Sequence, residues 1–571
     1  MEQTIPVDTG AEAFIELLNA NDVKYIFLNP GTDTFYVQEA ISKFKALSKR
    51  TPEVILSLHE SVAMAAAHGY FMVSGKPQVV FVHVDLGVQQ VGGALHNAQR
   101  GRAGIVLCSG RVPSNIDRGR LSPVHWFQEQ FDQAGVVRGY VKWDYELRTN
   151  ENIHHVVQRA FQIASSEPCG PVYLCLPQDA LSEKITSVRI PDVARHTAVS
   201  APQADAVLLS EVASLLIKAE NPLIITGYSG RHTQSVASLV ELAEISGARV
   251  IASSYRMNFP TTHPLFGGFD AIPYLGNADV VLIIDHDVPY IPFRAKLKPE
   301  TRIVHIDIDP LKENMPLWSF PVDALIQADS SKVLPVLSQT LRQMITQEQK
   351  ARCQSRLQQI HGEHQKMMTD WRNMATSKAT QNPISPEWLC RCIDEVLDED
   401  AIVLGEAVTN IGSVIRQIHR TKPGTLFQAG GTSLGWGLGA AVGAKLASPD
   451  KTVVTTVGDG GFVLNCPTAA LWAASVYHAP FLCIIFNNMQ YNAPKIALRQ
   501  ALGNTSYSEK TGNWVGIDIK PSPDFAAIAR ACYAYGQTVD EPSELPSALR
   551  TALDQVRSGT PAVLDVRVER P

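Results

Sequence analysis

Asp459, set in Gly458-Asp459-Gly460, and Asn488, the second residue of Asn487-Asn488, are residues whose types and spacing could hold a hard cation. One carboxylate, one amide oxygen and glycine-rich backbone make a seat for Mg²⁺ carrying a diphosphate. Magnesium takes oxygen ligands, typically one or two carboxylates plus phosphate oxygens. The elements between the two residues must bring them together. Residues 452–457 (TVVTTV) are a β-branched run short enough for a buried parallel strand. Residues 467–478 (PTAALWAASVYH) read as a helix opened by proline, and 481–486 (FLCIIF) as a second buried strand. Strands joined this way lie parallel with a right-handed crossover. Asp459 and Asn488 then fall at carboxyl ends of strands on one edge of one sheet, where open α/β sheets take ligands. GDG alone would favour an ordinary βαβ unit with a turn aspartate. The correctly placed NN favours the cation seat.

GDG, an intervening βαβ stretch and NN together resemble the thiamine diphosphate (ThDP) motif of the superfamily containing pyruvate decarboxylase, acetolactate synthase and benzoylformate decarboxylase. The resemblance implies metal ligation by Asp459, Asn488 and the main-chain carbonyl of Gln490. The spacing is slightly longer than the family's. ALWAASVYHAPFLCIIFNN matches without gaps, so the extra residues are expected in a loop at 461–466, over the phosphates.

A chain of 571 residues is too long for one core and predicts three domains. Net charge is −6 with no basic stripe, which argues against nucleic acid and against an electrostatic membrane partner. No apolar run approaches the ~18–20 residues of a membrane span. The start, MEQTIPVD, has neither the basic residues nor the apolar core of a signal peptide. Nine scattered cysteines suit reduced thiols in a cytoplasm, and Cys390-Arg391-Cys392 has no second pair nearby to make a metal site.

The expected fold class is α/β, with three doubly wound parallel-sheet domains. Residues 1–190 alternate strand and helix, with strands at 24–28, 54–58, 79–84, 105–109 and 172–176 and helices at 11–19, 61–73 and 90–99. A linker at 191–203 leads to a middle block, 200–340, carrying PLIITG, RVIASS, VVLIID and RIVHIDID. Residues 338–384 are polar and read as an exposed helix and linker. The third block, 385–571, carries AIVLGE, TVVTTV, FLCIIF and AVLDVRV. In the superfamily that this pattern resembles, the first domain binds the pyrimidine of ThDP and the third its diphosphate. The two halves come from different subunits, which implies a homodimer or homotetramer.

The family activates its cofactor with a glutamate hydrogen-bonded to the pyrimidine, on a strand followed by an Ala-rich helix and a Gly-Lys-Pro turn. Leu56-Ser57-Leu58-His59-Glu60-Ser61-Val62-Ala63, closing at Gly75-Lys76-Pro77, resembles that motif and makes Glu60 the activator. The helix is apolar nearly all round and is expected to be buried. Without the motif, Glu60 would read as a first-turn acid favoured by the helix dipole. His83 ends the strand at 79–84 in the register of the active-site histidine of the benzoylformate decarboxylase branch. It could relay protons, or be a strand-end histidine bonded within the fold. The following Asp85-Leu86-Gly87-Val88 departs from the glycine- and serine-rich loop of relatives.

Asn29-Pro30-Gly31-Thr32 resembles a family turn at the substrate end. Thr32 could touch a substrate carboxylate or serve as a helix cap. Phe127-Gln128-Glu129 resembles an acetolactate-synthase segment; with His125 and Trp126, Gln128 could line the pocket from the partner subunit, the alternative being a surface loop. By position, Thr409 and Asn410 match diphosphate-binding residues. The carbonyl of Thr432 matches the one holding the aminopyrimidine, and Leu434 the wedge between the cofactor rings. Gly460 and Gly461 let backbone approach phosphate. Tyr491-Asn492-Ala493-Pro494 should cover the substrate, with Ala493 facing it; many decarboxylating relatives have glycine where Asn492 stands.

The resemblance therefore implies an enzyme using ThDP and Mg²⁺ to break or form a C–C bond on a 2-oxo acid, with or without a second carbonyl acceptor. The middle block lacks a G-x-G-x-x-G fingerprint. FAD, which acetolactate synthases bind without one, is therefore possible but not favoured. An acetolactate synthase proper, a non-catalytic ThDP-fold subunit and a nucleotide-binding protein are the alternatives.

Overall fold

A computed structural model describes residues 3–117, 119–253 and 255–570. The chain opens with β1 (Gln3–Pro6). A six-stranded sheet follows, from β2 (Tyr25–Leu28), β3 (Glu53–Leu56), β4 (Gln78–Val82), β5 (Ile105–Arg111), β6 (Asp144–Glu146) and β7 (Val172–Pro177). β8 (Ser187–Ile190) returns to pair antiparallel with β1. The middle sheet holds β9 (Pro222–Thr226), β10 (Arg249–Ala252), β11 (Val280–Ile284), β12 (Arg302–Asp307) and β13 (Ala324–Gln327). The third holds β14 (Ile402–Glu406), β15 (Leu426–Phe427), β16 (Val453–Gly458), β17 (Leu482–Asn487), β18 (Tyr535–Val539) and β19 (Ala562–Arg567).

All three large sheets are parallel. Their orders are β3-β2-β4-β5-β7-β6, β10-β9-β11-β12-β13 and β15-β14-β16-β17-β19-β18. Central strands such as VVLII of β11 and LCIIFN of β17 are buried throughout, as strands covered on both faces must be. The two outer sheets share one order: second, first, third, fourth, sixth, fifth. In such a sheet the connections diverge between the first and third strands, opening a crevice at their carboxyl ends. Those ends are β2 and β4 in one sheet and β14 and β16 in the other.

The helix Glu60–Ser74 is buried from Val62 to Met72 and packs on the helix Gly437–Ala447 of the third block. The contact is made of small residues. A Cβ on Gly69 would overlap the Ala440 carbonyl, and one on Gly443 the Ala66 carbonyl. The outer blocks therefore share one core, which holds Ala63, Ala66 and Ala67 of the first helix and Ala440, Ala441 and Ala444 of the second.

Several local expectations are corrected. The strand carrying His83 stops at Val82, and the expected loop after it is the helix Val84–Gln90. The polar stretch 338–384 carries the expected, largely exposed helix, but one stripe of it is buried. It holds the end of the helix Ser330–Met344 and then Gln347–Thr376, opened by a Thr346–Gln349 capping box. Cys353, Ile360, Met367 and Trp371 on the longer helix pack onto the middle core. Among the described residues, no helix is long and apolar enough to cross a membrane.

Candidate active site

β16 ends at Gly458, and Asp459 opens the short helix Asp459–Leu464. The expected loop at 461–466 is thus a turn of helix, ended by Cys466 at a left-handed φ of 47°. β17 ends at Asn487, and Met489, also left-handed at φ 57°, turns the chain back. The result brings the three expected ligand residues together. Asp459 Oδ2 and Asn488 Oδ1 both accept from the Gln490 N–H, each at 3.1 Å, and Asp459 Oδ1 accepts from Gly460 N at 2.8 Å. Burial pushes the Asp459 carboxyl above its ordinary pKa, against the backbone N–H groups it accepts.

The surroundings are incomplete in a way that fits a bound polar group. Gln490 Nε2 and both amide atoms of Asn492 are buried without a partner among the described residues. Each such atom costs about 1–3 kcal/mol unless something bonds it. Open space lies in front of Gly461, whereas the Tyr491 ring closes over Gly460. An oxygen-rich anion with its cation suits this donor and acceptor set. Ala493, in the first turn of the helix Asn492–Leu502, is exposed.

Glu406, at the end of β14, organises the neighbouring segments. Its buried carboxylate accepts from Gly435 N (2.6 Å), Trp436 N (2.9 Å), Gly437 N (2.9 Å) and Asn465 Nδ2 (2.7 Å). This fixes the turn that carries Thr432, exposed, and Leu434, half-buried, to the helix after GDG. Asn97 of the first block clamps the same turn, donating to Ser433 O and accepting from Ser433 N. Thr409 and Asn410 lie in the single turn Val408–Asn410, half-buried and buried respectively. Sequence reasoning passed over Glu406, the last residue of the run AIVLGE.

On the first sheet, Glu60 starts its helix with a side chain only 14% exposed and no hydrogen bond among the described residues. Its Oε1 faces Gly87 of the 84–90 helix. His83 is held from both sides: Nδ1 by Asp33 Oδ1, and Nε2 by Gln128 Nε2 at 3.0 Å. Burial opposes a charge on this ring, but the Asp33 bond and charge outweigh it and raise its pKa. Gln128 thus reaches His83 of its own chain. Thr32 is exposed and only its carbonyl is engaged, by Gln178. It caps no helix; Thr34 stands before the helix Phe35–Ala46. Asp33 was missed, its one sequence signal being a polar residue beside the N-P-G turn.

Comparison with known proteins accounts for this architecture. Residues 8–136 match the thiamine pyrophosphate enzyme N-terminal TPP binding domain, 209–337 the central domain and 408–566 the C-terminal TPP binding domain. Benzoylformate decarboxylase of Pseudomonas aeruginosa is 27% identical over 565 residues, 95% of this chain and 96% of its own. Acetolactate synthase isozyme 3 large subunit of Escherichia coli is 26% identical over 576 residues, 98% of this chain and 95% of its own. The thiamine diphosphate-dependent 4-hydroxybenzoylformate decarboxylase of Rhodococcus jostii RHA1 superposes with a TM-score of 0.79 at 23% identity, covering 99% of both chains. With both cofactor-binding domains and the central domain matched in order, the chain belongs to the thiamine diphosphate-dependent enzymes.

Proposed function

We propose that this enzyme uses ThDP and Mg²⁺ to decarboxylate a 2-oxo acid, releasing the product or joining it to a second carbonyl compound. The observation that carries the reading is the convergence of Asp459 and Asn488 on the Gln490 amide beside unpartnered buried amides. Asp459, Asn488 and the Gln490 carbonyl would hold the cation. Thr409, Asn410, Gly460 and Gly461 would hold the diphosphate, with the Thr432 carbonyl and Leu434 setting the ring positions. Glu60 would hydrogen-bond the pyrimidine. Bound ThDP supplies an electron sink for the electrons left as CO₂ departs. His83 is the proton-relaying group, and Thr32, Gln128 and Ala493 are the candidates for contact with substrate. The two halves would come from two subunits of a homodimer or homotetramer. Nine free cysteines suit a reducing cytoplasm.

His83, in the register of the benzoylformate decarboxylase histidine and bonded to Asp33, favours the decarboxylase branch over an acetolactate synthase proper, although Gln128 on its other side belongs to the acetolactate-synthase-like segment. FAD in the middle block is not favoured, the block having no G-x-G-x-x-G fingerprint. An intact Glu60 and cation seat weigh against a non-catalytic subunit. The test is CO₂ release from a panel of 2-oxo acids with ThDP and Mg²⁺. Release abolished by Glu60→Ala supports the reading. Release unchanged by that substitution, or a ThDP-dependent thermal shift unchanged by Asp459→Ala, refutes it. A yellow protein forming a C–C condensation product would move the assignment to acetolactate synthase.

A further inference from the structure

Asp33 is engaged at both carboxylate oxygens. Its fully buried carboxylate lies between His83 Nδ1, at Oδ1, and the Val84 N–H, which donates to Oδ2 at 3.0 Å. The packing is close enough that a Cβ on Gly31 would overlap the His83 ring, and one on Gly110 the Asp33 carboxylate. Val84 sits at φ 27°, which a β-branched residue rarely adopts. Strain of this kind persists only where the surroundings enforce it, and the Asp33 bond to Val84 does so here. On the other side of the ring, Gln128 Nε2 meets His83 Nε2, while Gln128 Oε1 is buried without a partner among the described residues.

With the Gln128 amide oriented this way, the contacts fit one tautomer of the ring. A carboxylate only accepts, so Nδ1 carries its hydrogen; an amide N–H only donates, so Nε2 presents a lone pair. Once Nε2 is protonated it can no longer accept. The amide must then turn over to offer Oε1.

We propose that Asp33 is a positioning residue that fixes His83 as the Nδ1–H tautomer, and that the Gln128 amide turns over each time Nε2 gains or loses a proton. The inference rests on the proposed function only in placing substrate near Nε2. One proton enters and leaves through the Nε2 lone pair, while the Nδ1 hydrogen and the Asp33 carboxylate stay as they are. The charged groups acting on the ring are Asp33, Asp85 and Glu60, all acidic, with neutral Gln128 on the remaining side.

The test is exchange of the histidine C2 hydrogen in the full-length protein, read at His83 by peptide mass spectrometry across pH. The wild-type midpoint should lie above 6.5. Asp33→Asn should lower it by about one pH unit or more, and Gln128→Glu should raise it. In turnover, Asp33→Asn should lower kcat about 100-fold with KM within about threefold, as expected for a misplaced proton. An unmoved midpoint in a folded Asp33→Asn protein overturns the Asp33 role. If that variant does not fold, Gln128→Glu decides, and an unmoved midpoint there overturns the proposal. Shifted midpoints in a protein without ThDP-dependent activity would sink the decarboxylase reading and leave the Asp33–His83–Gln128 assignment standing.

Discussion

The two outer sheets share a strand order, and each buries a carboxylate at or just past its first strand. Those carboxylates do different work. Glu406, at the end of β14, accepts only from amides that cannot titrate, and so locks a turn in place. Asp33, five residues past β2, accepts from a backbone amide and an imidazole, and so holds a group that can change charge. One topology thus yields a rigid seat on one sheet and a proton-handling face on the other, by changing what the buried acid touches. The junctions differ as well. The outer blocks meet through small residues, whereas the first and middle blocks meet through charges, Glu167 facing Arg231 and His232, and Arg102 facing Asp287 and Asp307.

The sharpest way to break this division is to disable each face separately. Glu60→Gln should lower turnover about 10²- to 10⁴-fold while leaving ThDP-dependent thermal stabilisation largely intact. Asp459→Asn should abolish that stabilisation. Identical behaviour in both assays would erase the distinction between the faces. Glu406→Leu strands three backbone N–H groups and the Asn465 amide. It should cost about 3–5 kcal/mol in urea unfolding, since removing the acceptor from a buried set leaves its donors unpaired. Gly443→Leu forces a side chain into the Ala66 carbonyl and should cost about 1–3 kcal/mol by the same measurement.

The smallest effect belongs to the charged junction. His232 lies 3.3 Å from Asp329 and 3.5 Å from Glu167, and these two acids raise its pKa from 6.5 to about 9 against the effect of burial. A raised folded value means its contribution is complete below pH 6.5 and is lost as pH rises through 9. Because the ring is partly exposed, about 1–2 kcal/mol is expected. Melting temperature should fall across that window in wild type and flatten in His232→Gln.

The parts of this molecule readable from sequence are those set by local pattern. TVVTTV, VVLIID and FLCIIF announce central strands because both faces are buried. GDG and NN announce a site because turn residues at strand ends need little context. Edge strands such as β6 (Asp-Tyr-Glu) and β18 escaped because half-buried polar residues carry no such signal. Asp33 and Glu406 escaped for a different reason: their partners lie 50 and about 30 residues away, at His83 and at 435–437, and only the folded sheets bring them into contact. The loop expected at 461–466 overlaps the helix Asp459–Leu464 because two glycines mask the helix that Phe462 anchors in the core.

The alanine and glycine seam between the helices Glu60–Ser74 and Gly437–Ala447 has a consequence for biosynthesis. About 360 residues separate the two partners along the chain. At roughly 5–20 residues per second, the first helix leaves the ribosome about 20–70 s before the surface that covers it. During that interval the nascent chain carries an apolar helix face whose covering partner has not yet been made.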